Sequence, residues 1–304
     1  MSDNTQEETL PNSSPLMSHS VDRTDELQHV ASDAMPTTPS NSPRPANIYV
    51  YAMGHVEPRF PNLTVEREFA QVVGRYDTEG QTDMETMHAV LSQRENRYLV
   101  RQMCWLFSVE RLPTYVLIPR DQSDWDLLVD TIRTSNQSDD LEVVVGLRGP
   151  LASPERCGGV VVPVVAFDQL YSFQRDDLLA AIPIPEGVDE GDAEQFRRSA
   201  SELLDRIMQI ADNSGSIDEH RALNYLSVRY PAIYATALAA HREEKSLSAV
   251  EVRPSRLGEP EVILNVVFSY THRRTDVTEK YFVRVNVSGE FPFLVSKLQP
   301  YYER

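Results

Sequence analysis

Beyond about Ala46 the chain alternates between apolar runs with the period of strands and apolar stripes with the period of helices. Ile48–Met53 (IYVYAM) is a continuous apolar run that predicts a buried strand turning at Gly54. A polar turn, His55 to Asn62, follows. Val65, Phe69, Val72 and Val73 then recur at i, i+4, i+7 and i+8, which predicts a helix from an N-cap at Thr64 to Arg75. Thr82 and Glu85 have the spacing of a capping box, opening a helix with Met84, Met87 and Leu91 on one stripe. Tyr98–Val109 and Thr114–Pro119 read as a hairpin, and Ser123 as the cap of a helix reaching Thr134. Leu141–Leu147 and Gly159–Phe167 read as strands, the second at an edge or bulged because Pro163 cannot donate to a ladder. Asp168–Ala181 reads as a helix.

Ile182–Asp192 (IPIPEGVDEGD) has the Pro, Gly and acid density of a connection between lobes. After it, Phe196, Ala200, Leu203, Leu204, Ile207 and Ile210 mark a helix over Ala193–Asp212. A second helical stretch starts with Asp218 as cap, and Pro231 should kink or divide it before it ends near Lys245. Leu247–Val252, Glu261–Tyr270 and Lys280–Val287 then alternate as strands of a small antiparallel sheet. The class expected is α+β: a polar, Pro-rich tail over 1–46, a mixed α/β lobe over 47–185, and helices plus antiparallel sheet over 193–304. The tail's Ser, Thr, Asn, Asp, Glu and Pro residues show neither periodicity, so it should be disordered.

Composition narrows the picture. With 304 residues, 41% of them hydrophobic, the chain can bury a sizeable core, while its net charge of -17 repels nucleic acid and anionic membrane surfaces. No apolar run approaches the ~18 residues of a membrane span, and no secretory signal opens the chain, so a cytoplasmic location is expected. The two cysteines, Cys104 in an apolar strand and Cys157 before a Gly-Gly pair, read as free thiols.

No nucleophile elbow, paired C-x-x-C, H-E-x-x-H, Walker loop or G-x-G-x-x-G turn occurs, so catalytic residues stay unassigned and neither metal nor cofactor is expected. Two polar clusters beside apolar strands are candidates for binding. One is His55, Glu57 and Arg59, where a loop would connect strand to helix. The other is Arg273, Arg274 and Asp276 in the hairpin Thr271–Lys280. Two readings of that hairpin stand: an arginine clamp on a carboxylate or peptide backbone, or a solvated tip with surface ion pairs worth ~0–1 kcal/mol.

The same residues carry a family resemblance. Ile48–Pro61 (IYVYAMGHVEPRFP), Glu66–Gln71, Tyr98–Trp105, Phe268–Thr271, Arg274–Val285 and Phe291–Leu294 resemble the C-terminal domain of unknown function of the cyanobactin maturation proteases, the PatG type, over about 47–300. In that family the domain accompanies a subtilisin-like protease that trims and cyclises ribosomally made peptides; this sequence has no counterpart of the protease. The resemblance implies modified-peptide biosynthesis and carries over no catalytic residues. It leads to a noncatalytic accessory protein whose partner is a precursor peptide or a peptide-processing enzyme, met through the loops and sheet edge of the first lobe. The alternative is an unrecognised peptide-modifying enzyme using His55, Glu57 and Arg59.

Overall fold

Five strands close into a barrel: β1 (Tyr49–Arg59), β2 (Cys104–Val109), β3 (Leu112–Pro119), β4 (Asp140–Leu151) and β5 (Pro163–Gln174), in the order β1-β2-β3-β5-β4. All neighbours are antiparallel except β3 and β5. The computed structural model describes residues 48–76, 79–132, 140–174, 190–209, 212–256 and 260–302. The tail and most of the Ile182–Asp192 connection fall outside these.

β1 does not turn at Gly54 but runs on to Arg59, pairing with β4 through its first half and with β2 through its second. Gly54 marks a close approach, because a Cβ there would stand 2.3 Å from the Ser108 carbonyl and 3.0 Å from the Phe107 ring. The strand is apolar almost throughout because both its faces are covered. Val50, Ala52 and Val56 face a core with Trp105, Phe107, Tyr115, Val144 and Phe167, closed by the helices α1 (Leu63–Val73), α2 (Asp83–Leu91), α3 (Arg97–Gln102) and α4 (Trp125–Asp130). Tyr51 and Met53 face the other way, into a second core with Val143 and Val145.

The helices of this part start for local reasons. Asn62, not Thr64, caps α1, its Oδ1 accepting from the N–H groups of Thr64 and Val65. Thr82 and Glu85 form the expected reciprocal box on α2. Within Tyr98–Val109 the first part is helical rather than strand: α3 ends at Gln102, and Trp105 at the start of β2 returns its indole N–H to the Val100 carbonyl at 2.9 Å. The β2–β3 hairpin turns through Glu110 and Arg111, both at positive φ as a two-residue mirror-image turn demands.

Two further corrections concern β5 and the cysteines. The strand continues through Asp168 to Gln174 where a helix was expected, held on β4 by pairs such as Leu170 with Val144; residues 175–181 of that helix lie outside the described residues. Pro163 opens β5 instead of sitting at an edge, next to a register shift between Arg148 and Leu151. Cys104 and Cys157 are not free: they form a disulfide, with Cα atoms 5.1 Å apart and 53 residues between them in sequence. The bridge fastens the 3-10 turn Pro154–Cys157 over a small outer cluster of Leu106, Val116 and Ala152.

The second half supplies α5 (Glu190–Met208), α6 (Asp218–Arg229), α7 (Ala232–Arg242) and a sheet of β6 (Lys245–Pro254), β7 (Ile263–His272), β8 (Thr278–Asn286) and β10 (Gln299–Pro300) in the order β10-β8-β7-β6, with β9 (Phe293–Leu294) also on β8. Pro231 divides the second helical stretch into α6 and α7. α6 packs between β1 of the barrel and β7 of the sheet, so Tyr51, Met53, Val143 and Val145 share one core with Leu203, Leu226, Ile233, Val266 and Phe268. The class is α+β.

Candidate functional site

The sequence candidates fall on two parts of the fold. His55, Glu57 and Arg59 alternate along β1, on the strand and not in a loop. His55 Nδ1 lies 4.0 Å from Glu142, which is only 3% exposed and accepts the Val56 backbone N–H at 3.0 Å. Glu57 and Arg59 pair with each other at 2.8 Å, both well exposed, a contact worth ~0–1 kcal/mol.

The β7–β8 hairpin gives its three candidates different work. Arg274 pairs with Glu244 at 2.5 Å, and its backbone N–H, like that of Thr275, donates to His272 Nδ1. Asp276 sits at φ 56 and closes the turn with a backbone bond to the His272 carbonyl. Both shape the turn. Arg273 instead reaches away from it: its backbone N–H is held by the Glu244 carbonyl at 2.9 Å, its Nε donates to Ser246 Oγ at 2.8 Å, and its Nη2 lies 3.3 Å from His241 Nε2.

Arg273 thereby enters a cleft of about 270 Å³ between α5, α7 and the start of β6. α5 contributes Ser199, Glu202, Asp205 and Arg206; β6 contributes Lys245 and Ser246; Tyr270 forms part of the floor. Helical spacing explains the α5 wall, since Ser199, Glu202 and Arg206 stand at i, i+3 and i+7 beside the stripe of Ala200, Leu203, Leu204 and Ile207 that anchors the helix. Ser199 is 6% exposed, and its buried hydroxyl has no hydrogen-bond partner among the described residues. Buried polar groups are rarely left so, and a ligand group in the cleft would satisfy it.

The cations of the cleft are in different states. Lys245 is pinned between Glu243 and Glu279, whose hydrogen bonds hold its ammonium above the ordinary lysine range, and Lys245 in turn holds Glu279 below the ordinary carboxylate range. Arg206 donates to the Ser248 carbonyl at 3.1 Å. The Arg273 side chain contacts Ser246 and His241 and pairs with no carboxylate among the described residues. Burial raises the Tyr270 phenol far above its ordinary value, leaving it a neutral donor and acceptor. A guanidinium, an unsatisfied hydroxyl and two acids lining one cleft suit a ligand with both carbonyl or carboxylate oxygens and N–H donors, as a peptide backbone has.

Of the residues lining this cleft, sequence reasoning singled out Arg273 and not Ser199, Glu202, His241 or Lys245. The last four lie on elements whose sequence reads only as packed helix and strand. Among the described residues no three His, Cys, Asp or Glu side chains are placed to hold a metal ion, and no helix is long and apolar enough to cross a membrane.

Fold and cleft define an α+β protein with a polar cleft on a helix-and-sheet layer bound to a barrel. Residues 190–301, which form that layer, match the family described as PatG C-terminal. A solved structure titled "PatG Domain of Unknown Function" has the same fold, with a TM-score of 0.68 over 84% of this chain and 99% of that one, at 18% identity. No curated protein matches. Residues 190–301 thus resemble the PatG C-terminal family, and the described residues share the fold of that PatG domain.

Proposed function

We propose that this protein is a noncatalytic accessory protein in the maturation of ribosomally made peptides of the cyanobactin kind, and that it holds a precursor peptide in the cleft between α5, α7 and β6. The PatG type of domain supports the setting. The observation that carries peptide binding is the presence in one recess of Arg273, paired with no carboxylate among the described residues, and the unsatisfied Ser199 hydroxyl. A peptide carbonyl or carboxylate would satisfy both groups, and the backbone N–H groups of the same peptide would face Glu202 and Asp205. This places recognition in the second half of the chain, because Glu57 and Arg59 neutralise each other on β1.

Calorimetric titration with synthetic leader and core segments of a cyanobactin-type precursor tests the proposal. Saturable binding is expected, weakened about tenfold by Arg273→Ala with the melting temperature unchanged, since a charge-assisted hydrogen bond is worth ~1.5–3 kcal/mol. No heat from any segment, or the same affinity in the variant, overturns it.

A further inference from the structure

A second recess, about 390 Å³, opens where the barrel meets α6, lined by Tyr51, Gln169, Tyr225, Arg229, Phe291 and Pro292. It shares no residue with the peptide cleft. Tyr51 comes from β1 and is 3% exposed; its hydroxyl lies 3.0 Å from that of Tyr171 on β5. The Arg229 guanidinium stands 5.0 Å from the centre of the Tyr171 ring, beside this pair of phenols. Tyr225 meets Tyr51 edge to face at 6.2 Å and is fixed in turn by a backbone bond from Leu294. Phe291, 43% exposed, gives the recess an apolar lip.

Charge decides what such a recess accepts. Burial keeps Tyr51 protonated, so its phenol does not neutralise Arg229. The two carboxylates nearest in sequence to the lining residues, Asp168 beside Gln169 and Glu290 beside Phe291, are both taken by Arg120, which holds the two oxygens of Glu290 at 2.9 Å and Asp168 at 3.5 Å. Arg229 therefore has no carboxylate partner among the described residues. A cation beside the Tyr51 and Tyr171 hydroxyls and flanked by aromatic rings matches a ligand with an anionic end and an apolar body.

We propose that this recess binds a carboxylate attached to an aromatic or large apolar group, the chemistry of a peptide ending in a hydrophobic residue. The proposal does not depend on the peptide cleft. It is tested with the full chain and two small probes, N-acetylphenylalanine and its C-terminal amide, followed by NMR titration. The carboxylate should bind saturably and about tenfold or more tighter than the amide. Arg229→Gln should abolish the difference, while Arg273→Ala should leave it intact. If Arg229→Gln disturbs folding, Phe291→Ala, at an exposed position, serves instead and should weaken the carboxylate severalfold. Absence of saturable binding, equal affinity for both probes, or indifference to these recess variants overturns the proposal.

Discussion

His220 on α6 is buried, and its Nδ1 has no partner among the described residues. Burial holds its pKa below the ordinary 6.5, outweighing the nearby acids Glu219 and Asp212. The unfolded chain therefore takes up a proton at a higher pH than the folded one, so stability is present above about pH 6.5 and is lost as pH falls toward the lowered value. Thermal unfolding between about pH 7 and about pH 5.5 should show a decline in wild type that is shallower in His220→Gln. The hairpin arginines make another point at this scale. Arg273 and Arg274 are adjacent and chemically identical in the sequence, yet one enters a cleft and the other pairs with Glu244. Direction around a tight turn separates them, and composition carries no record of that.

At the scale of elements, apolar runs are legible where a segment is covered in only one way. The stripes of α1, α5 and the α6–α7 pair appear at their helical spacing, and Pro231 divides the last where its ring forbids a continuous helix. β5 was misread because Asp168–Leu170 resembles a helix start, and only pairing with β4 keeps the strand extended to Gln174. The Cys104–Cys157 bridge was invisible for a related reason: its two ends are 53 residues apart, and the barrel alone brings β2 under the Pro154–Cys157 turn. A closed loop of that length removes roughly 4 kcal/mol of chain entropy from the unfolded state. Reduction, or the Cys104→Ala/Cys157→Ala pair, should lower denaturant stability by about 2–4 kcal/mol, and amide exchange should rise first in the Ala152–Val162 segment. An unchanged midpoint would mean the bridge contributes nothing.

Across the whole molecule, the barrel and the C-terminal layer are joined by polar locks as well as by their common core. Gly215 at φ 70 takes the Tyr51 backbone N–H at 2.9 Å, and a Cβ there would fall 2.3 Å from the Tyr51 carbonyl. That carbonyl is taken by Asn224 at 2.8 Å, Tyr115 reaches the Ser214 carbonyl at 2.9 Å, and Arg120 grips Glu290. Arg221, fully buried, gathers the carbonyls of Val287, Gly289 and Glu290 and stacks on Tyr49. Gly215→Ala should cost about 2 kcal/mol or more and lower the melting temperature, from both the left-handed backbone and the clash; a loss under about 0.5 kcal/mol would show that the segment moves aside freely. What the sequence by itself determined was the α+β class, most of the helices and the three long strands of the C-terminal sheet, because hydrophobic period and capping act within a few residues. Barrel closure, the disulfide, the Ser199–Arg273 cleft and the Arg229 recess were decided only in the tertiary structure, because each joins groups whose proximity depends on which strand lies beside which.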